Sequence, residues 1–140
     1  MQKYRYLPHT ADVRFRAYGR SFEELLENSA LALFGLIVDI KEVKKKKAEI
    51  KSFSFSFKGK ESKESTLWEF LSRLLSLVRI KNVYAFDIKL RKENGKFFAL
   101  VFFKKSKDYL WLFDVKAISP YSIEIKKKGR IFYVDVVADV

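Results

Sequence analysis

Acidic side chains near the two ends of this 140-residue sequence define the chemistry it could support. Asp12 stands where an alternating run through Val13, Phe15 and Ala17 begins, and Asp139 precedes Val140, whose carboxylate closes the sequence. If the strands that carry them are neighbours, three carboxylates converge, and like charges at that range repel unless they are protonated or neutralised by a cation. A hard divalent ion with oxygen ligands suits such a set, Ca²⁺ first, with Mg²⁺ and Mn²⁺ as alternatives. The plainer alternative is that Asp139 belongs to a solvated tail and Asp12 caps a turn, and spacing alone leaves both open. His9, the one histidine, follows Pro8 in the same corner. A lone histidine there is more often a hydrogen-bonded structural corner than a ligand, and it could also orient a ligand from behind.

Other chemistries are narrowed by what the sequence lacks. With no cysteine there is no disulfide framework, thiolate metal site or cysteine nucleophile. Five scattered glycines form neither a P-loop nor a dinucleotide fingerprint. A Ser-His-Asp triad could be built only on His9, and no serine occupies a nucleophile elbow. No hydrophobic stretch approaches the length of a membrane span and no signal-peptide pattern opens the chain, so a cytoplasmic protein without a membrane partner is expected. The net charge of +12, with runs at Lys44 to Lys47 and Lys126 to Lys128, would attract RNA, DNA or an acidic protein. It also fits a merely solvated lysine face.

The elements that must position Asp12 and Asp139 follow from periodicity. Tyr4 and Tyr6 alternate with charges in a short first strand, and a second runs from about Asp12 to Tyr18. Ser21-Phe22-Glu23-Glu24 has capping-box spacing and opens a helix over about 22–36, striped by Leu25, Leu26, Ala30, Leu33, Phe34 and Ile37. Residues 39–47 read as a charged connector. Phe53, Phe55 and Phe57 alternate with serines in a half-buried strand. Thr66-Leu67-Trp68-Glu69 reads as a second capping box opening a second helix. Strands are expected over 83–91 and 96–103, joined by a type I′ turn at Asn94-Gly95, and again over 110–117, 121–127 and 131–138. Trp68 and Trp111 lie in apolar patterns, with Leu110-Trp111-Leu112 a sticky patch if exposed. The expectation is one α+β domain over 1–140, with two helices packed on a largely antiparallel mixed sheet.

The sequence also resembles a known family, the archeases. The resemblance rests on Tyr6 to Tyr18 with Pro8-His9-Thr10-Ala11-Asp12-Val13, on Ser21-Phe22-Glu23-Glu24 and Ala30-Leu31-Ala32-Leu33-Phe34, and on the Leu67 to Leu75 helix. It continues at Val115-Lys116-Ala117-Ile118-Ser119 and closes on Ala138-Asp139-Val140. What the resemblance implies is a non-catalytic protein that assists an RtcB-type RNA ligase in tRNA splicing and RNA repair. That ligase joins a 3′-phosphate or 2′,3′-cyclic phosphate end to a 5′-hydroxyl with Mn²⁺, GTP and a guanylylated histidine of its own. The archease is implied to promote guanylylation and multiple turnover. The family's metal site is implied to fall on Asp12, Asp139 and Val140. The chain departs from the family pattern at Lys104-Lys105, where a Gly-Glu pair is frequent, at Ser119-Pro120-Tyr121 and at Ser72-Arg73. A basic module that binds or remodels tRNA directly is the competing reading, dependent on the lysine runs rather than on the aspartates.

Overall fold

Eight strands and three helices follow one another as β1 (Tyr4–Leu7), β2 (Val13–Gly19), α1 (Phe22–Ile37), α2 (Ile40–Lys45), β3 (Lys51–Lys58) and α3 (Lys63–Lys81). Then come β4 (Tyr84–Glu93), β5 (Lys96–Lys104), β6 (Ala117–Ile118), β7 (Ile125–Lys128) and β8 (Ile131–Asp139). The computed structural model describes residues 1–8 and 12–140. They form two sheets. One has the order β1-β2-β8-β6, with β7 also pairing β8, and the other the order β3-β5-β4. Every pairing among the described strands is antiparallel. The α+β class is as expected, but the single sheet is two sheets and the two helices are three.

Local chemistry explains the helix boundaries. Ser21 Oγ accepts the Glu24 amide at 3.1 Å, and the Glu24 carboxylate reaches back to the Arg20 amide at 2.9 Å, one residue earlier than a strict capping box. Leu25, Leu26, Ala30, Leu33 and Phe34 are buried along one side of α1. The connector expected at 39–47 contains α2, started by Asp39, whose carboxylate accepts the Lys41 and Glu42 amides. Helix α3 begins a turn earlier than expected, because Ser62 and Ser65 form its capping box. Thr66 instead lies inside the helix, buried, its hydroxyl donating to the Ser62 carbonyl and accepting the Lys60 amide.

The core lies where α1 and α3 meet the inner faces of the sheets. Phe57 stacks between Phe70 and Phe97, with centroids at 5.1 and 4.9 Å. Asn94 and Gly95 both take positive φ, as a type I′ hairpin requires. Residues 110–117 do not form the expected strand. The Leu112 and Phe113 amides instead donate to the Ile37 and Leu36 carbonyls at the end of α1, which have no partner within the helix. Only Ala117–Ile118 joins the sheet there, and the strand expected at 121–127 is shortened to β7.

Candidate functional site

Strand β2 carries Asp12 at its entrance and β8 ends on Asp139, and these strands pair directly. The register runs from Gly19 opposite Phe132 to Val13 opposite Ala138. Asp12 and Asp139 are the next residues outward on each strand, so the pairing delivers two carboxylates, from opposite ends of the sequence, to one end of the sheet. Asp12 is half-buried, while Asp139 and Val140 are exposed. The Asp139 carbonyl accepts the Lys116 amide at 2.7 Å, which fixes the backbone beside Val140. His9 lies outside the described residues.

Alternation places Arg14 and Arg16 on the same outward face of β2 as Asp12, since Val13, Phe15 and Ala17 face inward. Arg16 makes a two-pronged ion pair with Asp135, Nε to Oδ1 at 2.6 Å and Nη2 to Oδ2 at 3.0 Å. Hydrogen bonding from Arg16 holds the Asp135 carboxyl below the usual carboxylate range, against a smaller opposing effect of burial. The same pair raises the Arg16 guanidinium. Arg14 lies opposite Val137, diagonal to both Asp135 and Asp139, and its Nε is buried without a hydrogen bond among the described residues. These residues were missed at the sequence level, although the alternation in Val13-Arg14-Phe15-Arg16-Ala17 would have shown them sharing a face with Asp12.

Among the described residues no three His, Cys, Asp or Glu side chains gather closely enough to hold a metal ion. Val140, the residue after Asp139, offers a main-chain oxygen as a further donor at this corner. Asp12, Asp139 and Val140 together would be an all-oxygen, anionic donor set, which fits a hard divalent cation.

Solved structures share this fold. A solution structure of a protein from Methanobacterium thermoautotrophicum superposes with a TM-score of 0.73 at 23% identity, covering 100% of both chains. A crystal structure from Thermotoga maritima, described as an archease and possible chaperone, superposes at 0.62 and 20% identity over 96% of this chain and 94% of that one. The fold this chain shares with them is that of a small two-sheet α+β protein, with the last strand of this chain beside its second. The archease family model matches residues 4–140. Archease from Methanosarcina barkeri is 33% identical over 147 residues, covering 99% of this chain and 97% of its own. That from Pyrococcus furiosus is 33% identical over 138 residues, covering 91% and 90%. The chain belongs to the archease family. No described helix is long and apolar enough to cross a membrane.

Proposed function

We propose that this protein is a non-catalytic activator of an RtcB-type RNA ligase, acting through a divalent cation held by Asp12, Asp139 and the Val140 carboxylate. The observation that carries the reading is the β2–β8 register, which puts the two aspartates side by side at the sheet end. A bound cation would supply a compact positive charge with coordination positions left for a ligand from outside. The chain's own residues supply the rest. The β2–β8 pairing brings the two aspartates to one end of the sheet, and the Lys116 amide anchors the Asp139 carbonyl. Arg16 engages Asp135, so that this acid does not add to the repulsion. Ca²⁺ is the ion the oxygen donors favour, with Mg²⁺ and Mn²⁺ as competitors.

The test is multiple-turnover ligation at limiting ligase with wild type, Asp12→Ala and Asp139→Ala, alongside calorimetric titration of each protein with CaCl₂. Stimulation and calcium binding lost together in folded variants would support the reading. Folded wild type that fails to stimulate would overturn it. Calcium too tight to exchange, with melting on chelation, would make the ion a structural pin rather than a working one. The competing reading, a basic module acting on tRNA directly, predicts insensitivity to both aspartate substitutions.

A further inference from the structure

Among the described residues helices α1 and α3 pack on the inner face of the five-stranded sheet, and the composition of its outward face is set by register. Directly opposed residues of an antiparallel pair share a face. Tyr18 therefore stands beside Tyr133 and Tyr133 beside Lys126, Arg5 beside Arg16 and Arg16 beside Asp135, and Leu7 beside Arg14, with Lys128 next to Ile131 at the far end. The face thus gathers five cations, Arg5, Arg14, Arg16, Lys126 and Lys128, around two half-buried tyrosines. Between its ends its strands carry a single carboxylate, Asp135, already bound by Arg16. The Arg16 guanidinium also lies 5.0 Å from the centre of the Tyr133 ring. A groove of about 460 Å³ opens beside the tyrosines, lined by Arg16, Tyr18, Lys128, Ile131 and Tyr133 with Met1 and Gln2.

We propose that this face binds single-stranded nucleic acid. Its phosphates would follow Lys128, Lys126, Arg5 and Arg14, and an unpaired base would enter the groove against Tyr18 and Tyr133, beside the Arg16–Asp135 pair. Charge complementarity selects a polyanion, since four cations face outward beyond the Arg16–Asp135 pair. The aromatic pair selects a polyanion with flat faces, and only unpaired bases offer these to a sheet surface. An acidic peptide would use the charge and leave the groove without a partner. The strand stops short of Asp12 and Asp139, whose charge repels it. The assignment is independent of ligase activation, because it uses a different part of the sheet from the aspartates.

The experiment is fluorescence anisotropy of the full chain with a labelled ten-nucleotide oligouridylate, repeated across a salt series, with a blunt duplex of the same length and polyglutamate as competitors. Four phosphate contacts beyond the Arg16–Asp135 pair predict a slope of log affinity against log salt near −2.8, at about −0.7 per contact. Lys126→Ala with Lys128→Ala should flatten that slope by about 1.4. Tyr133→Leu should weaken binding about tenfold or more at unchanged slope, which loss of charge alone would not do. Lys44→Ala with Lys45→Ala and Lys47→Ala, on the other basic run, should leave the affinity within about twofold. The proposal is overturned by an absence of binding or by Tyr133→Leu binding as wild type. Loss through the Lys44 to Lys47 run instead, or competition by polyglutamate equal to that of unlabelled strand, would overturn it equally. Native melting curves of each variant confirm that the comparison is between folded proteins.

Discussion

Lys104 is almost fully buried at 6% exposure, and its ammonium donates to the Lys44 carbonyl at 3.0 Å and the Lys46 carbonyl at 2.7 Å. These carbonyls end α2, where a helix has unsatisfied acceptors and a partial negative charge. A strand lysine from β5 thus completes a helix formed about sixty positions earlier. Lys104→Met keeps the length and volume of the stem while removing both bonds. Hydrogen bonds to a charged group contribute about 1.5–3 kcal/mol each. Two effects reduce the sum: the exposed Lys44 backbone can turn to water, and the variant no longer has to desolvate an ammonium. The net loss expected is about 2 kcal/mol, or about 4–8 °C in Tm for a domain of this size. Urea unfolding measures it, with the midpoint lowered and the slope unchanged, and Lys105→Met on the exposed neighbour should stay within about 0.5 kcal/mol of wild type. Lys104→Met as stable as wild type would show that burying the charge costs as much as its two bonds return, and would refute the capping argument.

Three further outcomes are expected. At Gly19 a Cβ would sit 2.4 Å from the Leu25 amide nitrogen and 2.7 Å from its Cα, so Gly19→Ala should destabilise by at least about 2 kcal/mol, measured by urea midpoint. Burial raises the Glu27 carboxyl while its Oε2 accepts the Leu90 amide at 2.8 Å. The folded state therefore binds this proton more tightly than the unfolded one, and its contribution falls as pH rises through the carboxylate range. Glu27→Gln should remove that fall and leave neutral-pH stability equal or higher, read from Tm against pH. Asp135 has the opposite sign: its lowered value stabilises above the ordinary carboxylate range and that contribution is lost as pH falls through the folded value. Asp135→Asn should flatten the acid limb, and an unchanged limb would place the shift elsewhere.

Several elements are legible in the sequence because the backbone there answers to its own neighbours. The phenylalanine alternation of β3, the Asn94-Gly95 turn and the stripe of α1 all depend on residues within a turn or two. Two differences are themselves local, the helix α2 started by Asp39 and the start of α3 at Ser62, and the others lie where distant groups decide. The amides of residues 112 and 113 go to the end of α1, a partner far back in sequence, so an apolar run that looks like a strand stays irregular. Thr66 has the composition of a cap but sits one turn inside α3, because Ser62 and Ser65 satisfy the earlier amides first. At the candidate site, Asp12 and Asp139 were visible as residue types, and their adjacency depended on a pairing that no local pattern encodes. The role of Lys104 at the end of α2 appears only when β5 and α2 are brought together.

The position of β8 bears on how a ribosome delivers this protein. It lies in the interior of the five-stranded sheet, between β2 on one side and β6 and β7 on the other, and its Asp135 meets Arg16 across 119 positions of chain. At synthesis rates of about 5–20 residues per second, β2 waits on the order of 6–24 s for its neighbour to emerge. During that interval α1, β3, α3 and the β4–β5 hairpin are all available, while the edge of β2 that will receive β8 stays open. A nascent chain in this state presents a strand with one edge unpaired, the kind of surface that invites pairing with the wrong strand. The arrival of β8 closes the sheet, buries Phe15 and Ala17 and sets Asp139 beside Asp12 in a single event. Truncation within β8 should therefore yield aggregation in the cell rather than a smaller folded protein.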